Sequence, residues 1–259
     1  MSTFLFNEII FGPVKSRRLG ISLGVNLLPL NSKLCNFNCI YCECGWTLNN
    51  KDTFTGFHSL ENIRTALIAK LDEMRKNNQQ LDVITFAGNG EPTLNPHFEQ
   101  IIDMTIDVRN THFPEAKISV LSNSTMLNKE SVIRALLKIE NPILKVDSAI
   151  EDTVTWINCP QNNFSLEKVV ANLQKFNGKF ILQTMFLKGL HNNQYLDNTT
   201  EIEITAWLEL LQKVNPEKVM IYTIARETPA QNLERISFEK LDEIAVRATS
   251  LGFVVQVAH

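Results

Sequence analysis

The segment DVITFAGNGEPTLNPHFEQIIDMTIDVR, residues 82–109, contains one complete repeat of the pattern that decides the fold. Its first part, DVITFAG, is a short β-branched and aromatic run, which is typical of a buried parallel strand. Residues 95–109 have helical periodicity, with Pro96 at an expected first-turn position. A strand, a glycine-containing loop and a helix therefore follow one another within a single unit.

The same order of strand and helix recurs along the chain. Strands are predicted at 21–29, 82–88, 117–122, 142–149, 179–189, 217–225 and 252–258. Helices are predicted at 59–74, 95–109, 128–139, 165–176, 201–214 and 237–251, with Ser59, Asn128 and Ser165 among their N-caps. Six such units predict parallel strands with right-handed crossovers. Periodicity alone suits an open doubly wound sheet as well as a partial barrel.

Composition favours one soluble α/β domain over residues 1–259. The chain has 259 residues, of which 44% are hydrophobic and 20% charged, as in globular proteins. No apolar run is long enough to span a membrane, and the N-terminus does not resemble a secretory signal. We therefore expect a cytoplasmic protein without a membrane partner, in which clustered cysteines indicate metal or redox chemistry.

Charge gives a weaker indication of function. A net charge of −3 argues against binding nucleic acid through bulk electrostatics. Lys15, Arg17 and Arg18, with Lys33 further on, form a local basic group. The group is either a solvated surface cluster or a contact for a phosphate or a nucleic-acid backbone beside the active site, and the charges leave both readings open.

The segment KLCNFNCIYCECGW, residues 33–46, contains four of the five cysteines. Cys35, Cys39, Cys42 and Cys44 are too close in sequence to join distant parts of a fold, so they bind a metal, pair locally or are buried thiols. A structural zinc site and a ferredoxin cluster each take four protein ligands. The spacing Cys35-x3-Cys39-x2-Cys42 provides three, which would leave one iron of a cubane cluster open to another ligand.

Two motifs resemble those of the radical S-adenosylmethionine (SAM) superfamily. Cys35-x3-Cys39-x-Tyr41-Cys42 is similar to its cysteine motif, and GNGEP at 88–92 is similar to its GGEP segment. The resemblance implies a partial (β/α)6 TIM-like barrel with a [4Fe-4S] cluster on Cys35, Cys39 and Cys42. SAM would chelate the fourth iron through its amino and carboxylate groups. Its reductive cleavage would give a 5′-deoxyadenosyl radical that abstracts hydrogen from a substrate.

The resemblance also implies where SAM binds. Tyr41 is expected beside the adenine, GNGEP at the amino group, and residues at later strand ends at the carboxylate, ribose or adenine. Apart from Tyr41, the expected cofactor-binding residues are Gly88, Asn89, Gly90, Glu91, Pro92, Ser122, Asn123, Lys145, Asp147, Ser148, Gln183 and Tyr222. Each polar residue after a strand is equally well explained as a cap or turn residue. We expect Arg226 near the substrate and Cys44 and Cys159 outside the cluster.

The resemblance extends over nearly the whole chain to the wyosine-synthase-like Fe–S oxidoreductases, on GPVKSRRLGISLGVNLLP, GNGEPTL and IYTIARETPAQNLE. It implies an enzyme of the iron–sulfur oxidoreductase or lyase type that acts on a nucleobase in tRNA or on a small molecule, with flavodoxin or ferredoxin as reductant. Two alternatives stay open. One is an activating enzyme that makes a glycyl radical on a partner protein; the other is a non-catalytic Fe–S or metal-binding module. Because six units leave a barrel open, we also expect a macromolecular substrate or a partner to complete the pocket.

Overall fold

The computed structural model describes residues 4–16, 18–47, 56–161 and 163–258. In this part of the chain, eight strands form one curled half-barrel sheet in the order β1-β2-β3-β4-β5-β6-β9-β11. These strands are β1 (Ile10–Ser16), β2 (Gly20–Val25), β3 (Val83–Phe86), β4 (Lys117–Ser122), β5 (Asn141–Lys145), β6 (Ile181–Met185), β9 (Lys218–Tyr222) and β11 (Val255–Ala258). All neighbours from β2 to β11 are parallel, whereas β1 is antiparallel to β2. The predicted α/β fold and partial barrel are confirmed.

Helices cover the convex face of the sheet. They are α1 (Leu60–Lys76), α2 (Phe98–His112), α3 (Glu130–Leu136), α4 (Glu151–Asn158), α5 (Leu166–Gln174), α6 (Glu201–Val214) and α7 (Phe238–Ser250). Alternate strand residues such as Leu23, Phe86 and Leu182 are buried against these helices in one continuous apolar core. Burial of these faces drives the sheet and helices together. Within the described residues, no helix has the length and apolar character needed to cross a membrane.

The helix caps confirm some sequence predictions and correct others. Ser59 and Ser165 cap α1 and α5 by accepting hydrogen bonds from backbone N–H groups three residues later. Asn128 is not the cap of α3, because it ends a preceding 3-10 turn and Lys129 takes the cap position. Pro96 lies before the α2 cap, His97, and not in the first turn. Both errors are shifts of one or two residues at a helix boundary.

Three strands form a separate small sheet that the periodicity does not predict. They are β7 (Leu187–His191), β8 (Gln194–Asp197) and β10 (Leu233–Arg235), in the order β10-β7-β8. The predicted strand 179–189 therefore divides into β6 and β7. Asn192 and Asn193 connect β7 to β8 with φ of 50° and 60°, the conformation that a two-residue hairpin turn requires. The two adjacent asparagines were the available signal.

The helix α4 and the N-terminus are further unpredicted parts of the fold. β1 contains Gly12 and Pro13, which are unfavourable in a central strand but tolerated at a sheet edge. Residues 4–9, which we call the N-terminal strap, precede β1 and run beside the loop after β3. The Phe6 and Phe11 rings stack with centroids 3.7 Å apart. Gly24 on β2 leaves room for Phe11, because a Cβ there would lie 2.1 Å from the Phe11 ring.

Candidate active site

The cysteine loop, residues 33–46, lies at the carboxyl ends of the parallel strands and is fixed at two points. At the first, Leu34 N donates to Asn89 O at 2.8 Å, and Glu91 N donates to Leu34 O at 3.0 Å. At the second, Asn38 N donates to Asn158 O at 2.9 Å, and the loop pairs with the segment after α4. The two motifs quoted from the sequence are thus joined through their backbones.

Glycines make this close approach feasible. Gly90 has φ of +139°, and a Cβ there would lie 1.9 Å from Leu34 O. Gly88 has φ of +138°, and a Cβ there would lie 2.5 Å from Asn26 Oδ1. Both the backbone conformation and the space exclude larger residues. GNGEP is therefore more than a tight turn, because its glycines form the surface on which the cysteine loop docks.

The cysteine thiols have separate environments within the loop. Cys35 Sγ lies 3.6 Å from Asn123 Nδ2, and Cys39 Sγ lies 3.3 Å from Asn158 Nδ2. All described cysteines are free thiols. Over the same described ranges, no three His, Cys, Asp or Glu side chains are grouped so that they could hold one metal ion. A [4Fe-4S] cluster does not need such a grouping, because each thiolate would bind a different iron.

Lys33 is buried inside the cysteine loop, contrary to the solvated-surface reading of the basic group. Its side chain donates to Gly45 O at 2.8 Å, and the residue is only 7% exposed. Burial opposes its charge, but Cys42, Cys35 and Cys39 lie near enough to raise the pKa of Lys33 above its ordinary value. Sequence reasoning missed this role, because nothing in the local pattern shows that this lysine turns inward.

The thiols differ in acidity for identifiable reasons. A hydrogen bond from Cys44 and the nearby Lys33 charge lower the pKa of Cys42 to about 5, against the effect of burial. Burial, together with the neighbouring Cys42, raises the pKa of Cys39 to about 11, and burial likewise raises the pKa of Cys35. Cys42 is therefore the preformed thiolate of the three. Cys44, which is outside the three-cysteine motif, stabilises the Cys42 thiolate through this hydrogen bond.

Glu91 organises the next two strand ends. Its Oε1 accepts from Thr93 N at 3.1 Å and from Ser122 Oγ at 3.0 Å, while Oε2 accepts from Asn123 N at 2.7 Å. The carboxylate is fully enclosed, and burial raises the pKa of Glu91. The structure thus brings together the predicted residues Glu91, Ser122 and Asn123. Pro92 begins the 3-10 turn that follows.

Asn89 uses its side chain to hold the N-terminal strap. Its Oδ1 accepts from Phe6 N at 2.8 Å, and its Nδ2 donates to Phe6 O and to Pro29 O, each at 2.8 Å. The amide is completely buried. Because the side-chain amide is occupied by Phe6 and Pro29, only the main chain of Asn89 is left for the predicted contribution to ligand binding.

A second polar network joins the ends of β5 and β9. Tyr41 OH donates to Asp147 Oδ2 at 2.5 Å, and Lys145 Nζ donates to Tyr222 OH at 2.6 Å. Lys145 Nζ also lies 4.4 Å from the Tyr41 ring centroid and 3.7 Å from Asp147 Oδ1. Burial opposes the Lys145 charge, but Asp147 and Tyr222 raise its pKa above the usual range. Asn158, which sequence reasoning missed, donates to both Asp147 and Tyr41 and so links this network to Cys39.

The remaining predicted residues are more scattered. Ser148 donates to Glu203 Oε2 at 2.6 Å, which directs it towards α6 and away from the cysteine loop. Gln183 is 4% exposed and pairs with Lys145 across β5 and β6. Arg226 is on the surface, with its guanidinium 2.6 Å from Glu43 Oε2 of the cysteine loop. Cys159 has Trp156 O as its thiol partner, which agrees with a role outside the cluster.

A cavity of about 450 Å³ adjoins the cysteine loop. Cys42, Gly45 and Trp46 line one side of it, and residues 227–233 line the other. Cys42 of the three-cysteine motif is therefore in contact with an open cavity.

Comparison with known proteins agrees with the geometry. The profile described as the Radical SAM superfamily matches residues 32–200. A UPF0026 protein of Methanocaldococcus jannaschii is 30% identical over 240 residues, covering 91% of this chain and 70% of that protein. A protein named GTPase Obg from Brachyspira hyodysenteriae is 30% identical over 238 residues, covering 90% of this chain but only 32% of that protein.

Solved structures of low sequence identity share the fold. A radical SAM methyltransferase from Sphaerobacter thermophilus superposes with a TM-score of 0.68 at 14% identity, covering 91% of this chain and 65% of that one. Streptococcus suis SuiB bound to S-adenosylmethionine gives 0.64 at 12% identity, covering 91% and 50%. Archaeal TYW1 gives 0.53 at 12% identity, covering 88% and 71%. The shared architecture is the half-barrel described above.

The docking of Leu34 predicts the effect of Gly90→Ala. The new Cβ would overlap Leu34 O and force a strained backbone, so we expect a loss in unfolding free energy on the order of 3–5 kcal/mol. Urea unfolding measures it. The matched control is Gly252→Ala, since Gly252 has φ of +94° with nothing within 4 Å; this change should cost only about 1 kcal/mol. Equal losses in the two variants would contradict the docking role.

The acidity of Cys42 predicts the alkylation of reduced, cluster-free protein. Because its pKa is lowered to about 5, the Cys42 thiolate should be nearly fully formed at pH 6.5. Iodoacetamide should then modify Cys42 before Cys39, at a rate that hardly increases above pH 6.5. Mass spectrometry of timed samples measures this. Cys44→Ala removes the hydrogen bond that does most to lower the Cys42 pKa. The pH dependence of Cys42 alkylation should therefore move to higher pH, and an unchanged pH dependence would exclude Cys44 as the cause of the low pKa.

Proposed function

Because the chain belongs to the radical SAM superfamily, whose members use a [4Fe-4S] cluster and SAM, we propose which of its residues hold these groups. Cys35, Cys39 and Cys42 would bind the cluster, and the loops after β3, β4 and β5 would bind SAM. The observation that carries the proposal is the backbone docking of the cysteine loop onto GNGEP at Gly90. It fixes the thiols beside the polar residues at the strand ends.

The thiol environment fits an iron–sulfur cluster. Thiolate ligands bring negative charge into a buried site, which is costly unless a cation or hydrogen bonds compensate it. Lys33 provides a buried positive charge, and Asn123 and Asn158 provide N–H groups beside Cys35 and Cys39. Hydrogen bonds to cluster sulfurs are one of the means by which proteins set reduction potentials.

The environment of Glu91 fits the ammonium group of SAM. Its carboxylate accepts hydrogen bonds from hydroxyl and backbone donors, and it forms no ion pair within residues 4–16, 18–47, 56–161 and 163–258. A buried carboxylate without a cation is an unfavourable arrangement, and an ammonium ligand would relieve it. Gly88 and Gly90 allow a ligand to approach the backbone closely.

The residues at the later strand ends would position the rest of SAM. Ser122, Asn123 and Lys145 would bind its carboxylate and ribose, and Tyr41 and Tyr222 would lie by the adenine. In the ligand-free arrangement Lys145 covers Tyr41, so binding would require this lysine to move. Bound to the protein, the cluster and SAM supply a one-electron cleavage that yields a hydrogen-abstracting radical; the protein fixes its direction and excludes water.

The reaction needs an electron donor, and we propose flavodoxin or ferredoxin. The substrate is proposed to be a small molecule or a nucleobase. The net charge of −3 gives no general attraction for tRNA, so a nucleobase within tRNA is the less favoured of the two. What the geometry supports best is radical SAM chemistry on a substrate that reaches the inside of the half-barrel.

Two cysteine variants test the ligand assignment. Cys39→Ala should abolish incorporation of the cluster, because it removes one of only three thiolates of the motif. Cys44→Ala should retain a cluster and the cleavage of SAM to 5′-deoxyadenosine, because Cys44 lies outside the motif. Iron and sulfide content, electron paramagnetic resonance after anaerobic reduction, and chromatography of 5′-deoxyadenosine measure these outcomes. Equal loss in both variants would refute the assignment.

Substitution of Glu91 tests the proposed ammonium site. Glu91→Gln removes the charge, and charge-assisted hydrogen bonds contribute about 1.5–3 kcal/mol; SAM affinity should therefore fall roughly 10- to 100-fold. Equilibrium dialysis of the reconstituted protein measures it. Thr93→Val is the matched control, because it removes one hydroxyl donor to Glu91 but leaves the charge, and it should have a much smaller effect. A Glu91→Gln protein with unchanged affinity would place the ammonium elsewhere.

A further inference from the structure

The concave face of the sheet carries a row of four side chains, three of them polar, of which the proposed cofactor sites use only Lys145. Lys145 pairs with Gln183, Gln183 pairs with Met220, and Met220 pairs with Gln256 across β5, β6, β9 and β11. Side chains that pair directly across a parallel sheet point to the same face. Part of this face is apolar, since Ile143, Ile181 and Met220 form a buried cluster there. Ordinary (β/α) barrels fill the whole space with branched apolar residues, so the polar side chains beside the cluster indicate a ligand.

Arg18 reaches this row from the turn between β1 and β2. Its guanidinium carbon lies 4.8 Å from the centroid of the Tyr222 ring, and its carbonyl accepts from Gln256 Nε2 at 3.2 Å. Lys15, from the same basic stretch, is exposed, and Arg17 lies outside the described residues. The basic residues of this stretch therefore do not form one surface cluster, because Lys15 is exposed whereas Arg18 faces the inside of the half-barrel.

Three polar atoms of this region are buried without a hydrogen-bond partner in the described chain: Arg18 Nη1, Gln183 Nε2 and Gln256 Oε1. Leaving such atoms unsatisfied costs about 1–3 kcal/mol each, and buried polar groups are nearly always paired. Other polar side chains of the same face follow that rule, as Ser22 and Thr85 show at 2.8 Å. Two of the three are donors, so they require an acceptor.

The charge of the region specifies the kind of acceptor. Arg18 and Lys145 are cations, and the neighbouring carboxylate is Asp147. The oxygens of Asp147 already accept from Tyr41, Asn158 and the backbone N–H of Met185. No described residue forms an ion pair with Arg18. Apart from the unpaired amide oxygen of Gln256, the inside of the half-barrel therefore has cationic donors without a free acceptor, which suits an anionic ligand.

We propose that Arg18 and Gln183 bind an oxyanion of the substrate, a carboxylate or a phosphate group, at the β9–β11 side of the half-barrel. The proposal rests on the proposed function, because it takes the molecule bound here to be the substrate. The site differs from the proposed position of the SAM carboxylate, since Ser122 and Asn123 lie at the end of β4, with β5 and β6 between them and β9. The ligand is a small molecule, because the guanidinium is directed at the sheet and not at a surface that a polynucleotide could cover.

Direct binding of simple anions tests the proposal on the reconstituted holoprotein with SAM. Isothermal titration calorimetry with inorganic phosphate and, separately, with succinate should detect binding of at least one, and the one that binds distinguishes phosphate from carboxylate. Arg18→Gln should weaken that binding roughly 10- to 100-fold, the loss expected for a charge-assisted hydrogen bond. Gln183→Leu should weaken it less. Lys15→Gln removes an equal charge from the exposed face of the same segment and should leave it unchanged.

Several results would overturn the proposal. These are absence of binding of both anions to the unmodified protein, equal loss in Arg18→Gln and Lys15→Gln, or loss of SAM affinity in Arg18→Gln as large as the loss of anion affinity. If an oligonucleotide binds through Arg18 and neither phosphate nor succinate binds, the ligand of this site is a polynucleotide and not a small molecule. If the protein binds the anion through Arg18 but forms no 5′-deoxyadenosine, the proposed function fails and the anion site stands.

Discussion

The contact between Leu34 and Gly90 is the constraint on which the rest of the site depends. Two loops that are far apart in sequence meet there through paired backbone hydrogen bonds. A Cβ at position 90 would lie only 1.9 Å from Leu34 O, so the contact requires glycine. Because the carboxyl ends of β2 and β3 are adjacent in the sheet, the loops that follow them are already close. The bridge converts that proximity into a fixed orientation, and Cys35 lies one residue beyond it.

Glu91 extends this order to the next strands. Immediately after Gly90, its carboxylate accepts from the backbone of Asn123 and the hydroxyl of Ser122 at the end of β4. Asn123 in turn donates to Asn36 Oδ1 at 2.8 Å, in the cysteine loop. The hydrogen bonds therefore return to the loop from which they began. A buried carboxylate that accepts hydrogen bonds from neutral donors has a fixed orientation, and its charge remains available to a cationic ligand.

The sequence predicted the parts of this structure that local pattern determines. Buried parallel strands such as Val83–Phe86 consist of β-branched and aromatic residues, and Ser59 and Ser165 have the side chains that cap helices. The pattern could not show that Lys33 is buried or that Asn89 binds the backbone of Phe6. Both depend on segments that meet only after folding, and a lysine or an asparagine in a loop has the same local signature when it is exposed.

The two proposed ligands would not be independent of each other. Tyr222 contacts the Arg18 guanidinium on one side and Lys145 on the other, and Lys145 is also the residue that must leave Tyr41 for an adenine to bind there. An anion beside Arg18 would reduce the positive charge that Lys145 experiences and would offer it a second partner. A ligand that favours the displaced position of Lys145 favours the state that SAM requires, so each ligand would raise the affinity for the other by the same factor.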